Sequence, residues 1–207
     1  LDRLFTLFHS SEKDLFTVVG DSDGNIIYKS SAYPLSSFDF NPVARGTIVN
    51  GVVQKDGELA AMYAAPATNE NGSYVLCVGF TMEATDWLQT VKSRVDCEVT
   101  IINNNVRYAT TLDQKIVGTN IPADIENTVV KSQQNHSGQQ VIDGTEYYTS
   151  YEPMKDYQGN VVGAFFAGSD ATDANAEFGS VTAMAIIIGV IGALGIAVFI
   201  FIFCPLS

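Results

Sequence analysis

The chain has 207 residues, 46% of them hydrophobic, with nine Tyr and twelve Phe, which is enough apolar material for one or two folded domains. Its formal net charge of −12 argues against a nucleic-acid partner, because a duplex binder needs clustered Lys and Arg to displace phosphate counterions. No Asp, Glu, Lys or Arg occurs from Phe178 onward. The composition therefore predicts a solvated domain followed by a lipid-soluble tail.

The first elements in chain order are a helix end and a hairpin. Leu1, Leu4, Phe5 and Phe8 keep helical spacing, which predicts that residues 1–13 finish a long helix. Because the chain opens on Leu1 without a signal-peptide pattern, we expect this helix to begin further upstream. A hairpin should follow, with strands at residues 15–20 and 25–30 around an Asp-Gly turn, and then a helix over residues 42–50.

An internal repeat connects the two halves of the chain. Four turn-forming positions recur 87 residues later, and they are Asp56, Gly57, Pro66 and Gly72, repeated as Asp143, Gly144, Pro153 and Gly159. Each copy predicts an Asp-Gly turn, a strand, a Pro-to-Gly turn and another strand. Consecutive antiparallel strands are therefore expected in both halves.

The second half repeats the remaining elements as well. A connecting helix is predicted over residues 83–92, then a hairpin with strands at 98–102 and 106–111. A second helix is predicted over residues 123–134, with Ile125, Val129 and Val130 as its apolar positions. Each half then has the order strand, strand, helix, strand, strand, strand.

The tail has the composition of a membrane span. Residues 181–204 contain no charged residue and, as a helix, would measure about 36 Å, slightly more than a hydrocarbon core. The alternative is a buried helix of a soluble protein, but such helices rarely extend this far without a charge. Asp170, Asp173 and Glu177 precede the segment, which fits an extracytoplasmic location for the acidic domain.

With these elements in place the sequence resembles a double Cache sensor domain, a PAS-like extracytoplasmic module common in methyl-accepting chemotaxis receptors and in some sensor kinases and cyclases. The segments that carry the resemblance most specifically are Val99–Ile102, Arg107–Thr111, Val117–Thr119, Asp143–Tyr148, Tyr151–Asp156 and Gly159–Gly168. Pro205-Leu206 resembles the opening of a HAMP linker. Amino-acid sensing is not implied, because the distal half lacks the Trp of that family's amino-acid pattern.

The resemblance implies an α+β fold of tandem PAS-like (Cache) units with antiparallel sheets, an N-terminal helix and a C-terminal transmembrane helix. The expected divisions are the helix end at 1–13, a membrane-distal unit at 14–85, a membrane-proximal unit at 86–170, a helix into the membrane at 171–204 with its span at 181–204, and a truncated HAMP-like linker at 205–207.

Candidate ligand-binding residues are polar groups placed to enter an apolar pocket between the sheet and the helical layer. An anionic ligand calls for an Arg there. In the proximal unit the candidates are Arg107, Tyr108, Thr110, Tyr147, Thr149 and Tyr151. In the distal unit they are Tyr28, Tyr33, Arg45 and Tyr63. For any one of them the alternative is a core tyrosine with a satisfied hydroxyl, or an arginine at the surface or in a structural ion pair, so only a cluster favours a site.

No catalytic, metal or cofactor site is predicted. His9 and His136 stand in different halves without a second ligand at metal spacing, and no nucleophile, phosphate-loop or zinc-protease motif occurs. Cys77 and Cys97 could pair or could remain buried thiols, and both alternatives stay open.

The expected function is that of a receptor and not of an enzyme. The leading hypothesis is the ligand-sensing and transmembrane signalling part of a methyl-accepting chemotaxis receptor, anchored in the cell membrane as a homodimer. Its expected partners are a small-molecule ligand such as an organic anion, the membrane, and a cytoplasmic signalling module outside this chain. The alternatives are the sensor of a histidine kinase or nucleotide cyclase, and a membrane-tethered surface enzyme or adhesin.

Overall fold

The computed structural model describes residues 15–83 and 85–172, apart from the side chain of Thr85. It contains two compact units, which we call unit 1 (residues 1–82) and unit 2 (residues 83–207). The predicted helix end at 1–13, the predicted span at 181–204 and the linker at 205–207 lie outside the described residues. Within the described ranges, no helix has the length and apolar character needed to cross a membrane.

The described part of unit 1 is a five-stranded antiparallel sheet with one short helix. Its elements are β1 (Leu15–Gly20), β2 (Ile26–Lys29), α1 (Asn41–Ala44), β3 (Val49–Lys55), β4 (Glu58–Asn69) and β5 (Gly72–Thr81). The strands lie in the order β2-β1-β5-β4-β3, and every neighbouring pair is antiparallel. The predicted first hairpin is confirmed.

The predicted helix over residues 42–50 is wrong beyond residue 44. Helix α1 is a single turn, and Gly46 at its end has a φ of 105°, a left-handed conformation that glycine adopts without a Cβ penalty. The residues that follow form β3, whose valines Val49, Val52 and Val53 are buried. β-branched side chains pack well on a pleated sheet, so pairing with β4 overrides the local helical pattern.

Unit 2 repeats this sheet and adds more helical structure. Its elements are α2 (Thr85–Val95), β6 (Glu98–Asn103), β7 (Val106–Thr110), a 3-10 turn (Gln114–Ile116), α3 (Ala123–Ile125) with a following π-helix (Glu126–Lys131), β8 (His136–Ile142), β9 (Thr145–Lys155) and β10 (Val161–Asp170). The strand order is β7-β6-β10-β9-β8, again antiparallel throughout. The predicted α+β class with antiparallel sheets is confirmed in both units.

The repeated Asp-Gly positions form the same turn in both units. Asp56 and Gly57 have φ values of 54° and 85°, and Asp143 and Gly144 have values of 51° and 83°. Two successive residues with positive φ are the mark of a type I′ turn, whose twist matches that of the flanking strands. The turn therefore sets the register of β3 with β4 and of β8 with β9.

The predicted Pro-to-Gly turns occur but begin later than expected, because the strands continue through both prolines. Pro66 lies within β4 and Pro153 within β9. Pairing with β3 ends at Ala64, and pairing with β8 ends at Tyr151, so each proline follows the point where its strand loses one neighbour. A residue without an N–H is tolerated at such a one-sided position.

The core of unit 2 lies between the sheet and the helical layer. Ile102, Ala164 and Phe166 from the sheet are buried against Ile125 of α3 and Val129 of the π-helix. The predicted helix over 123–134 is thus confirmed as helical through residue 131, with its apolar positions facing inward. Ser132 N donates to Asn127 O, which is the wider π-type spacing.

The two cysteines among the described residues, Cys77 and Cys97, are free thiols. Cys77 lies in β5 of unit 1 and Cys97 lies between α2 and β6 of unit 2, and both are buried. Burial raises the pKa of Cys77 to about 12. It also raises the pKa of Cys97 to about 11, with a further contribution from Asp96 and Glu98. Both thiols stay protonated at neutral pH, which makes them poor nucleophiles.

Thiol labelling tests this arrangement. In a Cys204→Ser chain at pH 8, we expect an aromatic disulfide reagent to label neither Cys77 nor Cys97 rapidly while the chain is folded, because both are buried and protonated. Unfolding in guanidinium without a reductant should release two reactive thiols. A disulfide between them would instead give no reactive thiol under the same conditions.

The close approach of Gly163 to the backbone of β6 predicts how alanine substitutions affect stability. A Cβ at Gly163 of β10 would overlap the carbonyl oxygen of Ile102 on β6, whereas a Cβ at Gly138 of β8 would have nothing closer than 3.6 Å. We expect Gly163→Ala to lower the free energy of unfolding of unit 2 by about 3 kcal/mol and Gly138→Ala by less than about 1 kcal/mol. Fluorescence of Trp87, the single Trp of the chain, reports urea unfolding of unit 2. Equal losses in the two variants would contradict the close approach.

Candidate ligand-binding site

A small cleft lies on one face of the sheet of unit 2, beside the chain segment that follows β7. It is lined by Thr100, Ile102, Arg107, Leu112, Ile142, Tyr151 and Phe166. The walls are too close together to admit a water molecule. Four apolar residues with a few polar groups among them are the usual composition of a small-molecule site.

The register of the sheet brings the lining residues onto one face. Phe166 of β10 lies opposite Thr100 of β6 on one side and opposite Tyr151 of β9 on the other. The rings of Tyr151 and Phe166 are 5.0 Å apart. Gly168 leaves room for the Phe166 ring, since a Cβ there would come within 2.6 Å of it. Three adjacent strands therefore form the floor of the cleft.

A β-bulge places Arg107 on the same face. Thr110 of β7 lies opposite Thr100, and Ala109 lies opposite Ile101, but the register then shifts so that Arg107 lies opposite Ile102. Tyr108 is the extra residue. In a regular strand, residues 107 and 110 would point to opposite faces, because side chains alternate with a period of two. Because of the bulge, Arg107 and Thr110 lie on the same face of the sheet.

The chain segment after β7 holds the Arg107 side chain in place. Nη1 donates to Oγ1 of Thr119 at 3.0 Å and to the carbonyl oxygen of Asn120 at 2.7 Å. The main chain of Arg107 is also bonded to this segment, through its N–H to Thr119 and its carbonyl from Gly118. Among the residues that the structure describes, no carboxylate pairs with this guanidinium. A positive charge beside an apolar cleft is suited to an anion.

Tyr151 is the second polar group of the cleft. Its side chain is 1% exposed, and its hydroxyl donates a hydrogen bond of 2.8 Å to Oε1 of Gln140 on β8. Burial raises the pKa of Tyr151 well above its usual value; the charge of Arg107 opposes this shift and that of Asp124 adds to it. The phenol is therefore neutral at any physiological pH.

A pair of buried hydroxyls completes the polar side. Oγ1 of Thr100 and Oγ1 of Thr110 are 2.6 Å apart. Thr110 Oγ1 also accepts a hydrogen bond from Leu112 N at 3.1 Å and contacts the carbonyl oxygen of Val99 at 3.4 Å. The threonine pair thus joins β6 and β7 to the start of the segment that covers the cleft.

The remaining proximal candidates lie outside the lining. Tyr108 is half-buried at the bulge. Tyr147 is half-buried at the margin of the core, where burial, Glu98 and Asp170 raise the pKa of its hydroxyl. Thr149 is fully buried, and its hydroxyl donates to the carbonyl oxygen of Gly138 at 3.0 Å. Of the six, Arg107 and Tyr151 line the cleft, and Thr110 contacts the lining residue Thr100.

The four distal candidates do not converge. Tyr33 is 8% exposed and packs between the rings of Phe16 and Phe40, and its hydroxyl has no hydrogen-bond partner among the described residues. Burial raises the pKa of Tyr33, and Cys77 adds to the shift. Tyr28 and Arg45 are exposed. Tyr63 follows Met62 in β4 and so faces the opposite side of the sheet from the Phe16 cluster.

Residues 80–181 match the family model described as single Cache domain 3. Unit 2 is a Cache domain. The predicted resemblance to Cache sensors is confirmed.

Several solved sensor domains are similar to this chain. The periplasmic domain of Vibrio cholerae LuxQ is 13% identical, with 82% of this chain and 79% of that chain covered and a TM-score of 0.49. The ligand-binding domain of the Pseudomonas aeruginosa PAO1 chemoreceptor PctB, in complex with L-Arg, is 17% identical, with coverages of 79% and 74% and a TM-score of 0.38. The E. coli DcuS sensor domain is 13% identical, with coverages of 44% and 68% and a TM-score of 0.39. No curated protein matches the chain.

Sequence reasoning missed two lining residues of the Cache cleft, Thr100 and Leu112, and also Gln140, which accepts the hydrogen bond of Tyr151. Thr100 and Gln140 were not among the candidates, although each lies two positions from an apolar residue of the same strand, Ile102 and Ile142. That alternation was the available signal for both. Leu112 carries no such signal, because it follows the last strand residue and reaches the cleft through the loop.

The threonine pair of the Cache domain predicts unequal mutational effects. Thr110→Val removes the acceptor of the Leu112 N–H as well as the contact with Thr100, whereas Thr100→Val removes the shared contact alone. We expect losses of about 2 kcal/mol and about 1 kcal/mol in the free energy of unfolding. The double variant should lose less than the sum, because both single changes delete the same hydrogen bond. Trp87 fluorescence during urea unfolding gives these values, and strict additivity would show that the two hydroxyls do not interact.

Proposed function

We propose that this chain is the ligand-sensing part of a transmembrane receptor, of the chemotaxis class that its sequence resembles, and that its Cache domain binds a small organic anion in the cleft. The observation that carries the proposal is Arg107, a cation beside a largely apolar cleft with no carboxylate partner among the described residues. Thr100 and Tyr151 supply further polar atoms along the same cleft.

The physical chemistry of the cleft favours a carboxylate. A guanidinium presents donors in a planar fork that matches the two oxygens of a carboxylate. Only Nη1 of Arg107 has hydrogen-bond partners in the described residues, which supports a role for the rest of the fork in ligand binding. Hydrogen bonds to charged groups each contribute about 1.5–3 kcal/mol, which is more than a neutral hydrogen bond contributes.

Ligand binding would have to move the covering segment. The cleft has no room for a water molecule, so a ligand must displace one of its walls. Leu112 belongs to the segment between β7 and α3, and the same segment supplies Thr119 and Asn120 to Arg107. An anion that draws the guanidinium into the cleft would therefore change the contacts of this segment.

Strand β10 offers a route for the signal. It carries Phe166 at the cleft and ends at Asp170, whose carboxylate accepts a hydrogen bond from Thr172 N at 2.7 Å, at the first turn of the next helix. In the proposed receptor this helix continues to the span at 181–204 and the chain works as a homodimer with the acidic domain outside the cell. A tenfold bias between two states requires about 1.4 kcal/mol of differential affinity.

The same input domain would serve a histidine kinase or a nucleotide cyclase. These classes share the ligand-sensing domain and differ in the output module attached to it. A surface enzyme or adhesin has no supporting constellation in the described residues, since the polar groups of the cleft are one arginine, one threonine and a neutral tyrosine without a nucleophile and base pair.

A thermal-shift screen of the full chain in mild detergent tests the proposal. The probes are acetate, propanoate, lactate, pyruvate, succinate and malate, with neutral sugars and purines beside them. An anion at a hundred times its dissociation constant should stabilise unit 2 by about 2.7 kcal/mol. Arg107→Ala should remove the shift, and Arg107→Lys should retain part of it, because Lys keeps the charge but not the fork.

Arg94 provides the matched control. It is an exposed arginine in the last turn of α2, so Arg94→Ala removes the same charge from the same unit without changing the cleft. We expect its thermal shift to equal that of the unaltered chain. A shift that persists in Arg107→Ala, or one that is lost equally in both variants, would refute binding at this cleft.

A further inference from the structure

Arg107 offers hydrogen-bond donors to the cleft, whereas the proton of Tyr151 is already used in a hydrogen bond to Gln140. This difference affects which anion the cleft accepts. A tyrosine hydroxyl has one proton to donate, and its oxygen can also accept. The proton of Tyr151 is directed to Oε1 of Gln140 at 2.8 Å. No described residue donates a hydrogen bond to the Tyr151 oxygen, so this oxygen offers the cleft an acceptor and no donor.

The Tyr151 hydroxyl keeps its proton, and Gln140 accepts it in a hydrogen bond. Tyr151 is 1% exposed, and its burial raises the pKa of the phenol, so the hydroxyl keeps its proton. Gln140 is the neighbour of Tyr151 that accepts it, projecting from β8 on the face that also carries Ile142 of the cleft. A carboxylate placed against the Tyr151 oxygen would meet lone pairs and be repelled.

Arg107 and Tyr151 therefore make opposite demands on a ligand. The guanidinium has only donors and requires an acceptor, whereas the Tyr151 oxygen requires a donor. An ammonium group would be a costly donor here, because no acidic residue lines the cleft to balance its charge. A hydroxyl is a neutral donor and carries no such cost.

On the basis of the proposed function, we propose that the cleft selects a small hydroxy acid over the corresponding plain carboxylic acid, and that Gln140 sets this preference by holding the Tyr151 proton. The carboxylate binds Arg107, and the ligand hydroxyl donates to the Tyr151 oxygen.

Titration calorimetry on the full chain in detergent tests the preference with matched pairs. The pairs are lactate with propanoate, 2-hydroxybutanoate with butanoate, and malate with succinate, which differ within each pair by one hydroxyl. We expect at least one pair to show about tenfold tighter binding of the hydroxy acid, the value of one well-placed hydrogen bond (about 1.4 kcal/mol). Equal dissociation constants within every pair that binds would overturn the inference.

Variants of Gln140 and Tyr151 separate selectivity from general loss of binding. Gln140→Leu frees the Tyr151 proton for a carboxylate, so the plain acid should gain affinity and the ratio should fall to within about twofold. Gln140→Glu keeps an acceptor for that proton, so the ratio should be retained while both affinities fall through charge repulsion. Tyr151→Phe removes the acceptor and should also abolish the ratio. An unchanged ratio in Gln140→Leu would show that Gln140 does not set the preference.

The two proposals fail in different ways. If no anion of the thermal-shift screen or of the calorimetry pairs binds the unaltered chain, the proposed anion site itself is refuted and this inference falls with it. If anions bind through Arg107 but a hydroxyl makes no difference, the anion site stands and only the role of Gln140 and Tyr151 is refuted.

Discussion

The central strand β10 is the constraint on which the Cache cleft depends. It pairs with β6 and β9 along most of its length, and the two registers together place Phe166 between Thr100 and Tyr151. A slip of one residue in either pairing would turn Phe166 to the other face of the sheet, because side chains alternate along a strand. The close approach of Gly163 to Ile102 and the repeated type I′ turn of β8 and β9 hold the sheet in this register.

Beside the floor formed by β6, β10 and β9, the β-bulge in β7 supplies the charged group of the cleft, Arg107. The bulge in β7 adds one residue, turns Arg107 toward the cleft and connects it by main-chain and side-chain bonds to the covering segment. Binding and covering are thus coupled through one residue, since the contacts that position the guanidinium are contacts of the loop. Bulges commonly re-aim a side chain beside a functional site.

The two units show how one topology can carry different interiors. Both have the same strand order and the same Asp-Gly turn, but the interior of unit 1 is filled by the rings of Phe16, Tyr33 and Phe40, while unit 2 retains a cleft beside Arg107. The four polar candidates of unit 1 are distributed over its surface, its core and both faces of its sheet. Duplication of the sheet therefore does not imply duplication of the site.

The sequence by itself determined the parts of the protein that depend on local chemistry. The hairpin turns, the antiparallel strands, the inward-facing Ile125 and Val129 and the resemblance to Cache sensors could all be read from it, as could Arg107 and Tyr151 as polar candidates. The tertiary structure decided the rest: that residues after Ala44 leave the helix for β3, that both prolines lie within strands, and that Thr100 and Gln140 join the site. These outcomes depend on where neighbouring strands end and where a bulge shifts the register, and such pairings between distant residues leave no periodic signal in either segment alone.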